Sequence, residues 1–156
     1  MPLYPGQKAP DFSLYDDKKQ KITLSEKRDR NVLLLFFPLA FTSTCTEELC
    51  SVRDNLSWYN NTNADVYGIS VDSLHSLARF REDLQLNFSL LSDFNKEVSR
   101  AYESIYEKFG FGMLGVSKRS AFVIDQDGII RYAEVLEDAG KVPDFKKINE
   151  TLELLR

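Results

Sequence analysis

The chain has 156 residues, of which 43% are hydrophobic and 28% are charged, and its formal net charge is −4. This length and composition suit one compact domain over residues 1–156 and argue against intrinsic disorder. The lack of a basic excess argues against nucleic acid as a partner. The N-terminus lacks the pattern of a signal peptide, and the longest apolar run is too short to cross a bilayer. We therefore expect a cytoplasmic protein that does not associate with membranes.

The first part of the chain predicts a hairpin and then a buried strand. Residues 12–15 and 21–24 flank a polar turn and could pair as the two arms of a hairpin. Residues 31–37 form a continuous apolar run, which is typical of a strand buried on both faces.

A helix is predicted after a loop over residues 38–44. Apolar residues recur there at spacings of three and four, at Leu49, Val52, Leu56 and Tyr59. Thr44 and Glu47 have the form of a capping box, so Thr44 is the predicted N-cap. Cys45 then falls in the first turn of the helix.

The second half of the chain predicts alternating strands and helices. The expected elements are strands over 65–71 and 88–91, helices over 74–86 and 95–102, a mobile glycine-rich loop over 109–117, and hairpin strands over 121–124 and 129–133. Asp127-Gly128 forms the hairpin turn, and Pro143 is expected at the first position of a final helix. This order predicts a central mixed sheet covered by helices.

Cys45 is the candidate nucleophile. It follows the carboxyl end of a buried strand and lies at a helix N-terminus, where unpaired N–H groups and the helix dipole favour a thiolate. The alternative is a structural cysteine in the core, since cysteine is among the most buried residue types and Cys45 lies four residues before Leu49 on the apolar stripe.

The residues around Cys45 decide between these alternatives. Pro38, Thr42 and Cys45 reproduce the P-x-x-x-T-x-x-C signature of peroxiredoxins, so the sequence resembles that family. Residues 6–12 are similar to the family's N-terminal segment, and Arg119 before a β-hairpin is similar to its active-site arginine. The resemblance covers nearly the whole chain and implies a thioredoxin-like fold with a mixed β-sheet flanked by helices.

The resemblance also implies a role for each site residue. Cys45 would be the peroxidatic nucleophile, Thr42 would hydrogen-bond the peroxide and the thiolate, and Pro38 would shield the site from water. Arg119 would stabilise the thiolate and the charge on the peroxide oxygens, and Glu48 would orient that arginine. These are suitable groups, because fixed donors aimed at a departing oxygen lower the barrier and a guanidinium keeps its charge at neutral pH.

Cys50 is the candidate resolving cysteine. Its spacing from Cys45 resembles the bacterioferritin-comigratory (PrxQ-like) branch of the family, whereas residues 37–42 and 127–134 look more like the AhpE-like, one-cysteine branch. Five residues of helix separate Cα atoms by roughly 8.7 Å, and a disulfide needs less than about 7 Å. An internal disulfide therefore requires the first helical turn to unwind. The alternative is that Cys50 is a bystander and an external thiol resolves the sulfenic acid.

The predicted activity is reduction of hydrogen peroxide or an organic hydroperoxide, with no metal, haem, flavin or nucleotide. The resemblance implies a thioredoxin-like or glutaredoxin-like electron donor, and the chain could be a monomer or a homodimer. Two rival functions are a thioredoxin-type oxidoreductase, which would need a C-x-x-C pair that this chain lacks, and a redox sensor that reports peroxide to a partner.

Overall fold

The computed structural model describes residues 2–156, and its centre is a seven-stranded mixed β-sheet. The strands are β1 (Ser13–Asp16), β2 (Lys21–Thr23), β3 (Asn31–Phe36), β4 (Ala64–Ser70), β5 (Ser89–Ser92), β8 (Ser120–Ile124) and β9 (Ile130–Val135), in the spatial order β2-β1-β5-β4-β3-β8-β9. Strands β3, β4 and β5 are parallel, and the outer pairs are antiparallel. The predicted thioredoxin-like architecture is confirmed.

Five helices accompany the sheet. They are α1 (Ser43–Asp54), α2 (Leu56–Asn61), α3 (Leu74–Leu84), α4 (Glu97–Ala101) and α5 (Phe145–Leu155). Side chains from α1, α2, α3 and α5 share one hydrophobic cluster with Leu33 and Leu35 of β3. The other face of β3 presents Leu34 and Phe36 to a second cluster, which α4 and the N-terminal segment cover. This arrangement explains why β3 is apolar at nearly every position.

Three local predictions were wrong. The helix predicted after residue 44 begins at Ser43 with Thr42 as its N-cap, and it is divided into α1 and α2 at Asn55. The last helix is capped by the Asp144 side chain, which accepts a hydrogen bond from the Lys147 N–H, so Pro143 lies before the helix and not at its first position. Thr42 makes no side-chain capping bond, whereas Asp144 makes one, so the backbone conformation sets these helix starts and sequence spacing alone does not specify it.

The segment predicted as a glycine-rich loop contains regular structure. β6 (Ile105–Lys108) and β7 (Leu114–Ser117) form a separate antiparallel pair. A short 3₁₀ turn at Gly110–Gly112 connects them, with Phe111 and Gly112 at positive φ. The loop prediction over 109–117 was wrong for β7, because only Leu114 and Val116 of this strand are large and apolar and the sequence lacks the run of a core strand. β6 precedes the predicted loop and was not predicted as an element.

Candidate active site

The register of the sheet brings Cys45 and Arg119 together at the carboxyl end of β3. Phe36 at the end of β3 pairs with Ser120 at the start of the antiparallel strand β8. Arg119, one residue before Ser120, therefore lies beside the end of β3. The chain leaves β3 through a short loop and enters α1, in which Cys45 is the third residue. Two residues 74 positions apart in sequence are thus brought together by one strand pairing.

Arg119 uses each of its three guanidinium nitrogens. Its Nη2 donates to the Cys45 Sγ at 3.1 Å, its Nη1 donates to the Glu48 Oε1 at 2.8 Å, and its Nε donates to the Ala139 carbonyl at 2.9 Å. The residue is only 2% exposed, so little water competes for these donors. A planar guanidinium held at three points cannot rotate away from the sulfur without breaking the other two bonds.

The Cys45 sulfur is buried and yet faces a cation. The residue is 0% exposed and belongs to the hydrophobic cluster that contains Leu35 and Leu49. The Arg119 guanidinium lies against the sulfur at 3.1 Å, at the N-terminal end of α1. Burial lowers the pKa of Arg119, but the nearby Glu48 and then Cys45 outweigh it and raise the pKa above its usual value. The arrangement therefore differs from that of a purely structural core cysteine.

Glu48 is the second anion on the arginine. It lies one turn after Cys45 in α1 and is fully buried. Burial raises its pKa from 4.5 to about 7, while the charge and hydrogen bond of Arg119 oppose that rise. Within residues 2–156 no hydrogen-bond partner faces its Oε2 atom. One guanidinium thus serves two acidic groups, of which the carboxyl group takes up a proton near neutral pH.

Thr42 and Pro38 belong to the loop between β3 and α1. The Thr42 hydroxyl donates to the Leu39 carbonyl at 2.8 Å, and no hydrogen bond between Thr42 and Cys45 is found among the described residues. Its proton is therefore directed to the loop, and its lone pairs remain available as an acceptor. Phe41, just before it, has φ of +67°, a conformation that costs energy for a bulky side chain.

A cavity of about 220 Å³ opens at the N-terminal end of α1. It is lined by residues from the β3–α1 loop, the start of α1, the β6–β7 connection and the Arg119 region, namely Pro38, Thr42, Ser43, Thr44, Phe109, Arg119, Ala139 and Gly140. Cys45 is not part of this lining, but Arg119 belongs to it and also contacts the sulfur. A small polar group that enters the cavity would meet the guanidinium and the Thr42 hydroxyl together.

Asp72 and Ala139 support the site but were not predicted. The Asp72 Oδ2 atom accepts hydrogen bonds from the Ala40 N–H at 2.8 Å and the Ser70 hydroxyl at 2.6 Å, which ties the β3–α1 loop to the end of β4. Asp72 could have been found, because it follows the carboxyl end of a parallel strand. Ala139 acts through its backbone carbonyl, so no side-chain pattern reveals it.

Cys50 lies in the same helix as Cys45 and does not contact it. Both cysteines are free thiols, and Cys50 is half-buried. Helix α1 is continuous from Ser43 to Asp54. The structure therefore describes a fully folded α1 that holds no disulfide.

Within residues 2–156, no group of three or more His, Cys, Asp or Glu side chains is arranged to hold a metal ion. No helix in the same range combines the length and apolar character needed to cross a bilayer.

Comparison with known proteins gives consistent matches. Residues 5–133 match the model of the AhpC/TSA family. Alkyl hydroperoxide reductase E of Mycobacterium tuberculosis is 39% identical over 153 residues, which cover 96% of each chain. Peroxiredoxin Bcp of Escherichia coli is 38% identical over 133 residues, covering 84% of this chain and 85% of that protein. The crystal structure of peroxidoxin BcpB from Mycobacterium tuberculosis superimposes with a TM-score of 0.85 at 30% identity, covering 97% of both chains.

Proposed function

The chain belongs to the AhpC/TSA family of peroxiredoxins, and from that premise we propose that Cys45 is the nucleophile of its peroxidase reaction. The Cys45 thiolate attacks the terminal oxygen of a hydroperoxide, and an S–O bond forms as the O–O bond breaks. Cysteine is oxidised to sulfenic acid, and the departing oxygen leaves as an alkoxide or hydroxide that takes a proton to become alcohol or water. The observation that carries this proposal is the 3.1 Å contact between the Arg119 Nη2 and the Cys45 Sγ.

The surrounding residues have complementary roles in this proposal. Arg119 stabilises the thiolate before attack and the charge on the peroxide oxygens during it, since fixed donors in a water-poor site act most strongly on developing charge. Thr42 accepts a hydrogen bond from the peroxide O–H, because its own proton is used by the Leu39 carbonyl. Pro38, which is buried and lines the cavity, limits the access of water to the sulfur.

Glu48 is proposed as a positioning residue for Arg119. Its Oε1 atom holds Nη1 at 2.8 Å, which directs Nη2 to the sulfur. A carboxyl group whose pKa is raised to about 7 can lose part of its charge at neutral pH. The guanidinium then interacts chiefly with the thiolate, so the two anions do not compete fully for one cation.

We propose that Cys50 resolves the sulfenic acid. The Cys50 sulfur attacks the Cys45 sulfur, an S–S bond forms, and the hydroxyl of the sulfenic acid leaves as water. Because an intact helix keeps the two residues too far apart for a disulfide, the first turns of α1 must unwind in the oxidised protein. A thioredoxin-like or glutaredoxin-like dithiol then reduces the disulfide. This chemistry suits a reducing compartment such as the cytoplasm.

The wild type and two variants, compared in one assay, test the proposed roles. Peroxide consumption is measured with thioredoxin as electron donor for the wild type, Cys45→Ser and Cys50→Ser. We expect Cys45→Ser to lose turnover completely. Cys50→Ser should keep its single-turnover oxidation by peroxide but lose recycling by thioredoxin. Unchanged turnover in Cys45→Ser would refute the peroxidatic role, and unchanged recycling in Cys50→Ser would show that an external thiol resolves Cys45.

Hydrogen exchange tests the unwinding of α1 directly. After one equivalent of peroxide, we expect the backbone amides of residues 46–50 to exchange much faster than in the reduced protein, because their helical hydrogen bonds break. Cys50→Ser is the matched control and should retain slow exchange after the same treatment. Slow exchange in a wild-type protein whose mass shows the internal disulfide would contradict the unwinding step.

A further inference from the structure

A second cavity of about 150 Å³ lies at the end of the central sheet opposite to Cys45. Its lining includes Val32 at the start of β3 and Ile124 at the end of β8, whereas Cys45 follows the other end of β3. We call it the distal cavity. Its remaining walls come from the N-terminal segment and from the 3₁₀ turn after β2.

Three cationic side chains line the distal cavity, together with the two carboxylates Asp11 and Asp125. The cations are Lys8, Lys27 and Arg28, and no hydrogen bond or ion pair within residues 2–156 holds their charged groups. The chain has nine arginines, and each of the other eight pairs with an aspartate or a glutamate. Arg28 is thus the one arginine within residues 2–156 that has no ion pair, and it lies beside Lys8 and Lys27 on the lining.

The two carboxylates on the lining already have other partners. The Asp11 Oδ1 atom accepts the Ser25 N–H at 2.8 Å. The Asp125 Oδ1 atom accepts two backbone N–H groups of its own turn, and its Oδ2 atom accepts from Arg131 at 2.6 Å. Asp125 is therefore largely neutralised from outside the cavity. The three cations thus leave an excess of positive charge on the lining.

Gly128 lets the Arg28 guanidinium lie directly against the β8–β9 turn. A Cβ atom at Gly128 would lie 2.8 Å from Arg28 Nη2 and 3.1 Å from its Cζ, so any side chain there would displace the guanidinium. Gly128 also has φ of +81°, which a residue with a Cβ rarely adopts. The backbone of the turn therefore packs against the Arg28 guanidinium, which has no ion pair, and limits its movement.

We propose that the distal cavity binds a small tetrahedral oxoanion of the phosphate class, through Arg28, Lys8 and Lys27. Arginine suits such a ligand because its planar donors can contact two phosphate oxygens at once. The cavity is smaller than the roughly 300–1,000 Å³ typical of sites for drug-sized ligands and cofactors. It therefore fits inorganic phosphate or the phosphate group of a small ester, and the proposal is independent of the chemistry at Cys45.

Phosphate titration at low ionic strength tests this site. In heteronuclear NMR spectra of the reduced full chain, we expect phosphate to shift the backbone amides of Ser25 and Gly128 in a saturable manner. At a phosphate concentration one hundredfold above its Kd, the melting temperature should rise by about 5 to 10 °C. Sodium chloride at matched ionic strength is the salt control, and glycerol phosphate tests whether an ester can replace the inorganic ion.

Arg28→Gln and Lys8→Gln are the informative variants, because both side chains are exposed and their loss should leave the fold intact. Each should weaken phosphate binding at least tenfold, whereas the distant exposed Lys146→Gln should bind as the wild type does. Equal binding by Arg28→Gln and the wild type would overturn the proposal. So would the absence of saturable shifts at Gly128, or shifts confined to Cys45 and Thr46, which would assign phosphate binding to the Arg119 region.

Discussion

At the scale of single residues, the chemistry depends on one guanidinium placed between two acids. The Arg119 Nη1 and Nε atoms donate to Glu48 and to the Ala139 carbonyl, and its Nη2 atom donates to the Cys45 sulfur. A lysine could carry the charge but could not satisfy three acceptors in one plane. The geometry of the donor and its charge should therefore both contribute to the rate.

Arg119→Lys tests the geometry separately from the charge. We expect the second-order rate constant of Cys45 oxidation to fall by about 100-fold, which is the typical effect of removing one fixed donor from a site of developing charge. Stopped-flow fluorescence with hydrogen peroxide measures it. Arg131→Lys, which changes an exposed arginine paired with Asp125, is the matched control and should react at the wild-type rate. A rate within twofold of the wild type for Arg119→Lys would contradict the proposed role.

Glu48 should make stability depend on pH. Its pKa is about 7 in the folded protein and close to 4.5 when exposed, so the folded state binds its proton more tightly. Stabilisation from this group is fully present below pH 4.5 and is lost as the pH rises through 7. The shift corresponds to about 3 kcal/mol. Urea unfolding between pH 5 and 8, in a Cys45→Ser background that leaves Glu48 as the acidic side chain on Arg119, measures the effect.

Glu48→Gln should remove this component of the pH dependence. An amide keeps an acceptor oxygen for Arg119 and does not titrate. Glu47→Gln, at the exposed neighbouring position in α1, is the control and should follow the parent curve. A parent protein whose stability is level or rises over pH 5–8, or a Glu48→Gln variant that keeps the full decline, would show that Glu48 is not the group responsible.

At the scale of elements, the site is formed where a loop and a helix follow β3. The N-terminal end of α1 supplies Cys45 and Glu48, and the preceding loop supplies Pro38 and Thr42. The loop is fixed by the Asp72 carboxylate, which binds the Ala40 N–H from the end of β4. This anchor maintains the backbone of Phe41 at a positive φ, so Asp72 should affect catalysis without contacting the substrate.

Asp72→Ala tests the loop anchor. We expect a loss of about 1–3 kcal/mol of unfolding free energy, because the Ala40 N–H and the Ser70 hydroxyl lose their acceptor. The rate constant for peroxide should fall by about tenfold as the loop loses its fixed geometry. Asp72→Asn retains one acceptor oxygen and should recover most of the rate. If both variants lose stability but keep the wild-type rate, Asp72 acts in folding alone.

At the scale of the whole molecule, two hydrophobic clusters on either side of the sheet hold the site rigid. Strand β4 lies near the middle of the sheet, and Gly68 on it allows close packing of its neighbours. A Cβ atom at Gly68 would lie 2.7 Å from Leu90 Cδ2 and 3.3 Å from Phe37 Cε1. The glycine thus permits Phe37, at the start of the active-site loop, to pack fully into the core.

Gly68→Ala should therefore destabilise the protein by about 1–3 kcal/mol through overpacking. Equilibrium urea unfolding followed by circular dichroism measures the change. Gly110→Ala is the matched control, because a Cβ atom there would meet nothing within 4 Å. An unfolding free energy within 0.5 kcal/mol of the wild type for Gly68→Ala, roughly the range of neutral surface substitutions, would show that the core adjusts freely.

The sequence by itself determined the fold class and the identity of the principal candidate residues. A buried strand that leads into P-x-x-x-T-x-x-C is a local pattern, because the strand, loop and helix are consecutive in the chain. Other local signals likewise predicted β3 from its continuous apolar run, α3 from apolar residues at helical spacing, and the β8–β9 hairpin from Asp127-Gly128. The β6–β7 pair escaped prediction because β6 is only partly buried and the buried residues of β7 include Gly115 and Ser117, which give no apolar pattern.

Only the tertiary structure decided which distant groups meet. The pairing of β3 with β8 brings Arg119 to Cys45, and the raised pKa of Glu48 arises from burial that several elements create together. The Asp72 anchor, the Ala139 carbonyl and the distal cavity also join segments far apart in the chain. Local pattern specifies backbone conformation and buried faces, whereas contact distances and electrostatic environments depend on the simultaneous packing of all the elements.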